Sequence, residues 1–143
     1  MKNRIILIIA IILSIKSTAQ EKYLENEIDI DSLSLKVVSL FEKNKVSESI
    51  DLLRPYWPLA ENEIDVLEKK TVKSLNIVEQ RFGNAIGNIK VKTEKIKDIA
   101  VRLTYLVRYE FYALRLKFTF YKNNNGWLIT AFEWDDEYTE EFK

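Results

Sequence analysis

The spacing of apolar residues changes near Gly83, and this change constrains the fold more than any other feature of the sequence. Before Gly83, apolar residues recur at the period of an amphipathic helix. After it, they alternate with polar residues, as they do in half-buried β-strands. A chain with helices first and strands later is typical of an α+β domain, in which the helices pack on one face of an antiparallel sheet.

A first helix is predicted where apolar residues form one stripe from Leu33 to Phe41. Asp31 or Ser32 can cap it, because both side chains accept hydrogen bonds from the free N–H groups of a first turn. The preceding residues, 20–31, are acidic and lack periodicity, so we expect a flexible lead-in there and a single domain over residues 32–143.

Two further helices are predicted before the change of period. A short one begins at a Ser47 cap and must end near Pro55, because proline cannot continue a helix. A longer one runs from about Asn62 to Phe82, with Gly83 as its stop.

Four antiparallel strands are predicted after Gly83. The first includes Ile89 and Val91, and the second carries its apolar residues at odd positions from Val101 to Tyr109. The third strand carries them at even positions of residues 112–121, and the fourth follows Asn125 and Gly126. The predicted fold class is therefore α+β, with three N-terminal helices on a four-stranded antiparallel sheet.

Asn125-Gly126 predicts the register of the last two strands. This dipeptide favours a two-residue type I′ turn, in which both central residues need positive φ. Counting outward from that turn pairs Phe118 with Glu133 and Thr119 with Phe132. Glu133 would then lie on the apolar face, where burial raises a carboxyl pKa and favours acid or base catalysis.

The partner of Tyr105 depends on the loop between the second and third strands. A four-residue loop places Tyr105 opposite Phe118, in the row of Glu133, whereas a two-residue loop places it opposite Leu116. The first arrangement would set a carboxylate and a phenol across one concave surface, as a base and an oxyanion donor. The simpler interpretation is that Glu133 lies near the end of the sheet and reaches water or an arginine.

Basic and aromatic residues are predicted on the other face of the sheet. The basic set on the second and third strands consists of Arg102, Arg108, Arg115 and Lys117. It could clamp a carboxylate or phosphate, or it could be the solvated face of a half-buried sheet. A homodimer contact is also possible on this face, and its predicted residues are Thr119, Tyr121, Phe132 and Trp134.

Two more segments have competing interpretations. Tyr56 and Trp57, between two prolines, could line the mouth of a pocket or plug the open end of the core. The acidic tail from Asp135 to Lys143 lacks the glycine turn and alternating ligands of a calcium loop, so we expect it to be solvated. Neither a metal site nor a cofactor site is predicted.

The first 19 residues are typical of a secretory signal peptide. Lys2 and Arg4 form a basic region, Ile5–Ile15 an apolar one, and small residues lead to cleavage between Ala19 and Gln20. The apolar run is about half the length that spans a bilayer, so no stable membrane anchor is predicted. We therefore expect export to the periplasm or the medium.

Composition excludes several function classes. The sequence has neither cysteine nor histidine, so it cannot form a disulfide, a thiolate metal site or an imidazole base. The full chain has 22 basic and 22 acidic residues, and loss of Lys2, Arg4 and Lys16 with the signal peptide leaves a net charge of −3. Without a basic block, neither nucleic acid nor an anionic membrane is a predicted partner.

This layout resembles the nuclear transport factor 2-like (NTF2-like) superfamily, also called the cystatin-like or SnoaL-like α+β cone. The stretches 81–87, 101–109 and 126–132 are similar to small exported bacterial members of unknown function. The resemblance implies a sheet curved around a pocket beside the helices. Members include isomerases, dehydratases, hydrolases and proteins without chemistry, and the His and Asp pair of several catalytic members has no counterpart here because histidine is absent.

The sequence thus predicts an exported, non-catalytic ligand-binding or protein-interaction module with an apolar, tyrosine-lined pocket. The predicted ligand contacts are Tyr105, Tyr109, Phe118, Glu133 and Trp57. The alternative is an enzyme of the isomerase or lyase type, with Glu133 as the base and Tyr105 as the hydrogen-bond donor.

Overall fold

The computed structural model describes residues 22–143, so the predicted signal peptide lies outside the described residues. Its helices are α1 (Glu27–Glu42), α2 (Val46–Leu53) and α3 (Glu61–Phe82), with a 3₁₀ turn at Arg54–Tyr56. Its strands are β1 (Ala85–Ile96), β2 (Ala100–Tyr109), β3 (Ala113–Lys122) and β4 (Trp127–Asp135). A second 3₁₀ turn, Tyr138–Phe142, ends the chain.

The predicted α+β architecture is confirmed. The four strands form one antiparallel sheet in the order β1-β2-β3-β4, and neighbours in the sequence pair throughout. The odd-numbered residues of β2 and the even-numbered residues of β3 are buried, as their alternation predicts. The core lies between this face of the sheet and the three helices.

The long helix α3 ends where the sequence predicts. Gly83 follows it with φ of 82°, a left-handed conformation that glycine adopts without steric cost. A Cβ at this position would collide with the side chain of Glu110, whose carboxylate accepts a hydrogen bond from the Asn84 N–H at 3.0 Å. The positive φ and the nearby Glu110 side chain therefore both require glycine at position 83.

The first helix begins earlier than predicted. It starts at Glu27, and its cap is Asn26, whose side chain accepts a hydrogen bond from the Asp29 N–H at 2.9 Å. The predicted caps, Asp31 and Ser32, lie inside the helix. In the first turn the acidic Glu27 and Asp29 alternate with isoleucines, and this alternation masks the helical period, although Ile30 is buried on the same stripe as Leu33.

The segment before α1 is held to the rest of the domain, in contrast to the predicted lead-in. Leu24 forms an antiparallel bridge with Trp127, with N–H to O distances of 3.0 and 2.9 Å. The Lys22 N–H donates to the Pro55 carbonyl at 2.8 Å. Residues 22–26 therefore cover the start of the β4 edge.

The predicted type I′ turn before β4 is wrong. The loop has four residues, because Lys122 pairs with Trp127. The Asn123 side-chain oxygen accepts hydrogen bonds from the N–H groups of Asn125 at 2.8 Å and Gly126 at 3.2 Å, which is an Asx turn. Gly126 has positive φ and Asn125 does not, whereas a type I′ turn needs both.

A bulge completes the change of register between β3 and β4. Thr130 has no partner on β3, and the pairing shifts at this point. The longer loop shifts the pairing by two residues from the predicted one, so Ile129 opposite Phe120 keeps its predicted face. The bulge then leaves a shift of one residue, which exchanges the two faces of β4 from Ala131 onward. Glu133 consequently pairs with Lys117, and Phe118 pairs with Phe132.

The loop between β2 and β3 is the shorter of the two that the sequence allows. The Tyr109 N–H donates to the Tyr112 carbonyl at 2.9 Å, so only residues 110 and 111 form the turn. Tyr105 therefore lies opposite Leu116.

One arginine connects the second helix to the third. The Arg54 guanidinium lies 2.9 Å from Asp51, 2.8 Å from Glu61 and Asp65, and 2.7 Å from Glu68. Its side chain is 18% exposed, so water screens these ion pairs less than it screens those on an open surface. One cation thus holds four carboxylates together.

Replacing Arg54 by Ala is expected to lower the free energy of unfolding by about 1 to 2 kcal/mol at low salt, because four carboxylates would then repel one another. The loss should shrink in high salt, which screens that repulsion. Urea denaturation at two salt concentrations measures both effects. Arg102→Ala is the control, since the one described ion pair of Arg102 is a 4.0 Å contact with Glu94. Equal losses in the two variants would contradict the prediction.

Candidate functional site

The space between α1 and the sheet, where the sequence predicts a pocket, is filled by aromatic rings. Phe118 lies with its ring centroid 5.9 Å from Tyr105 and 5.0 Å from Phe132. Phe132 in turn packs edge-on against Phe41 at 6.3 Å. All four side chains are at most 5% exposed. We call this group the aromatic core, and it leaves no room at its position for a substrate.

The predicted ligand contacts Tyr105 and Tyr109 are buried structural residues. Burial, reinforced by the charge of Asp31, raises the pKa of Tyr105 to about 12. Burial, with the charges of Glu79 and Glu42, raises the pKa of Tyr109 to about 12 as well. Both phenols therefore stay protonated at neutral pH.

Glu133 does not lie in the aromatic core. It is on the outer face of the sheet, with its side chain 60% exposed and one carboxylate oxygen 3.8 Å from the Lys117 ammonium. Tyr105 is buried on the opposite face, beside α1. The predicted base and donor are thus on different sides of the sheet, and the simpler interpretation of Glu133, an exposed residue near a cation, agrees with the structure.

Trp57 plugs the core, which is one of its two predicted roles. It is buried in the main hydrophobic cluster, and the neighbouring Tyr56 packs against the same cluster while partly exposed. Tyr56 also borders a polar surface groove with Tyr23 and Lys36. The segment between the prolines therefore closes the core at its end.

The predicted homodimer residues do not share one surface. Thr119 and Tyr121 lie on the outer face, but the changed register turns Phe132 and Trp134 toward the helices. The Trp134 indole N–H donates to the Thr71 hydroxyl at 3.2 Å, and its ring centroid lies 6.0 Å from that of Phe41. Trp134 therefore fastens β4 to α3 and α1.

Part of the outer face is covered by the end of the chain. We call the 3₁₀ turn Tyr138–Phe142 the C-terminal strap. Tyr138 packs edge-on against Tyr112 with a centroid distance of 5.0 Å, and Glu141 reaches Arg115 at 3.0 Å. The acidic tail was predicted to be solvated, but part of it packs on the sheet. Arg115, unlike an exposed residue of a solvated face, is buried.

The rest of the outer face is open. We call Ile96, Ala100, Arg102, Thr119 and Tyr121 the open sheet patch. A groove of about 250 Å³ runs along it, and Arg102 donates a weak hydrogen bond to the Thr119 hydroxyl at 3.5 Å. Ile96 is 66% exposed, the most of the exposed aliphatic residues of β1.

A second apolar groove, of about 450 Å³, lies between α1 and α2. Leu35, Leu40 and Leu52 line it, and we call it the helix groove. Among residues 22–143 there is no cluster of three acidic side chains arranged to hold a metal ion. In the same part of the chain, no helix is long and apolar enough to cross a membrane.

The sequence did not indicate the contact between the tail and Arg115. A basic set and an acidic tail are both visible in the sequence, but nothing local shows that they meet. The available signal is the alternation in β3 and β4, which places Arg115 and Asp135 as cross-strand partners once the register is known.

Phe118→Ala is expected to lower the free energy of unfolding by about 3 to 5 kcal/mol, because it opens a cavity in the aromatic core. Phe111→Ala removes an exposed ring of the same size and should change it by less than about 0.5 kcal/mol. Urea denaturation followed by circular dichroism compares the two. A loss below about 1 kcal/mol for Phe118→Ala would show that this space is not tightly filled.

Attachment of the strap should weaken in acid. Burial alone raises the pKa of Glu141, but the nearby Lys92 and Arg115 outweigh it and hold that pKa below 4.5, its usual value. A lowered folded-state pKa gives stability that is complete above the unfolded value and is lost as the pH falls through the folded value. We expect Glu141→Gln to lower the free energy of unfolding by about 1 to 2 kcal/mol near pH 7 and by less near pH 3.

The measurement for Glu141 is the unfolding free energy of both proteins at the two pH values. Glu63→Gln, in the first turn of α3, is the matched control because no described ion pair involves it. A Glu141→Gln cost that does not change with pH would contradict the electrostatic explanation.

Comparison with known proteins shows the fold. No family model matches the sequence, and no curated protein matches it. A crystal structure from Campylobacter jejuni, provisionally described as an NTF2-like transpeptidase, superposes with a TM-score of 0.51 and 13% sequence identity. The alignment covers 71% of this chain and 97% of that one. The chain therefore has the α+β fold of the NTF2-like superfamily.

Proposed function

We propose that this chain is an exported, non-catalytic module that binds another protein through the open sheet patch. The observation that carries the proposal is the aromatic core. A substrate pocket in this fold would lie between the helices and the sheet, and here Tyr105, Phe118 and Phe132 occupy that space. Binding must then take place on the surface of the domain.

The composition of the chain supports a role without chemistry. The similar Campylobacter jejuni protein is provisionally named as a transpeptidase. Transpeptidation needs an activated nucleophile, and this sequence has no cysteine to serve as one and no histidine to activate a hydroxyl. It also has no Ser-x-x-Lys motif, in which a lysine activates the serine. The isomerase or lyase alternative loses its support because Glu133 and Tyr105 lie on opposite faces of the sheet.

The open sheet patch is the surface that we favour for binding. It joins aliphatic residues, an aromatic ring and an arginine, and the charged residues Glu94 and Lys95 line the same groove. Aromatic residues and arginine are enriched at protein interfaces, and charged residues are usual at their rims. Its position on a sheet face suits an isologous contact, in which the same patch of two copies meets across a two-fold axis. A second copy of this chain is therefore the first partner to test.

We also propose that the protein is exported. The basic, apolar and small-residue regions before Gln20 support it.

Ile96→Lys is expected to weaken self-association by at least about tenfold, since it places a charge at the centre of each contact. Sedimentation velocity of the mature protein over a range of concentrations measures this. The matched control is Leu35→Lys, which places the same charge in the helix groove and should leave the dimer intact.

Two outcomes would overturn this proposal. If the unmodified protein stays monomeric at every concentration, the open sheet patch does not bind a second copy. If Leu35→Lys dissociates the dimer and Ile96→Lys does not, the helix groove is the interface instead.

A further inference from the structure

The outer face of the sheet contains an arginine that is only 7% exposed. The Arg115 guanidinium donates two parallel hydrogen bonds to Asp135, from Nε to Oδ1 at 3.0 Å and from Nη2 to Oδ2 at 2.8 Å. Its Nη1 donates to Glu141 Oε1 at 3.0 Å. A third carboxylate, of Glu137, lies 4.0 Å from Nη2. A guanidinium held by two hydrogen-bonded carboxylates in this way is partly desolvated and fixed in place, unlike a solvated surface charge.

A second cation completes the site. The Lys92 ammonium of β1 lies 3.1 Å from the other oxygen of Glu141. The Glu141 carboxylate therefore bridges two cations from strands β1 and β3. Thr104 of β2, the cross-strand partner of Lys92, faces the same side and is almost fully buried. The carboxylate is thus held by cations on both sides of β2.

The strap that supplies Glu141 has little else to hold it. None of its residues is buried, and Phe142 is 85% exposed. Its described contacts with the sheet are the Tyr138 ring on Tyr112 and the Glu141 carboxylate. Asp135, in contrast, belongs to β4 and would remain on Arg115 if the strap detached.

Detachment of the strap would therefore leave a defined vacancy. Arg115 would keep its paired hydrogen bonds to Asp135 and lose the bond from Nη1 to Glu141, and the 4.0 Å contact of Glu137 is with Nη2 and not with Nη1. Lys92 would lose its only described ion pair. A partly buried guanidinium with an unused donor favours another carboxylate in that place. The exposed Tyr112 ring would favour an aromatic side chain beside it.

We propose that Arg115 and Lys92 form a binding site for an acidic peptide, and that the C-terminal strap is its resident competitor. The peptide would carry an aromatic residue for Tyr112 and, three residues later, a carboxylate for the two cations, as Tyr138 and Glu141 do. This site is separate from the open sheet patch and does not depend on self-association there.

The probe is a fluorescent peptide with the sequence of residues 135–143. Its affinity is measured by anisotropy for the unmodified mature protein and for the double variant Tyr138→Ala, Glu141→Gln, in which the resident strap is weakened. The double variant is expected to bind the peptide at least about tenfold more tightly. Circular dichroism checks its fold, and the single variant Glu141→Gln replaces it if the pair of changes disturbs folding.

Two lysines of the same strand provide a matched control. Adding Lys92→Gln to the double variant, the strap-weakened protein, should abolish its gain in peptide affinity, because Lys92 faces the site. Adding Lys90→Gln should leave it unchanged, since Lys90 is on the helix side and pairs with Asp31 at 3.0 Å. A peptide with Gln in place of the Glu141 carboxylate should bind weakly to all forms.

Three results would overturn the site. Equal peptide affinity of the unmodified and strap-weakened proteins would show that the strap does not compete. Equal effects of Lys90→Gln and Lys92→Gln would show that the peptide responds only to net charge. Absence of binding to every form would show that no site exists. The Ile96→Lys variant separates the two proposals, because it should change self-association and leave peptide binding intact.

Discussion

The pairing of β3 with β4 decides the character of both faces of the sheet. Side chains alternate along a strand, so one residue of register determines which of them meet the helices. With the Asx turn at Asn123 and the bulge at Thr130, Phe132 points inward and completes the aromatic core. The same register points Asp135 outward, where it meets Arg115. The register of β3 with β4 therefore both fills the interior with aromatic rings and forms the ion pair of Arg115 on the outer face.

The outer face is divided by electrostatics into two regions. On one side Arg115 and Lys92 hold the strap through carboxylates, and on the other Ile96 and Tyr121 remain exposed. Both regions are built on the same three strands, so a ligand at one lies close to the other. The domain thus offers two adjacent surfaces of different chemistry on a rigid support.

The sequence predicts the fold well and the site poorly, for identifiable reasons. The faces of β2 and β3 follow from their alternation, because each strand is buried on one side along most of its length. The faces of β4 beyond the bulge were predicted wrongly, because the Asn123 side chain and the bulge at Thr130 are local details that no periodicity shows. The burial of Arg115 depends on residues about 20 to 26 positions away, which only the folded chain brings together.

The bridge between Leu24 and Trp127 has a consequence for the order of folding. It joins the beginning of the described domain to its last strand, so closing it requires the ordering of about a hundred intervening residues. Contacts between residues so far apart in the sequence form late in folding, since the entropy lost on closing the long loop must be overcome before the contact stabilises the chain. The N-terminal segment therefore has no sheet partner until β4 has emerged. For the export that we propose, this order would keep the domain from closing before β4 has crossed the membrane.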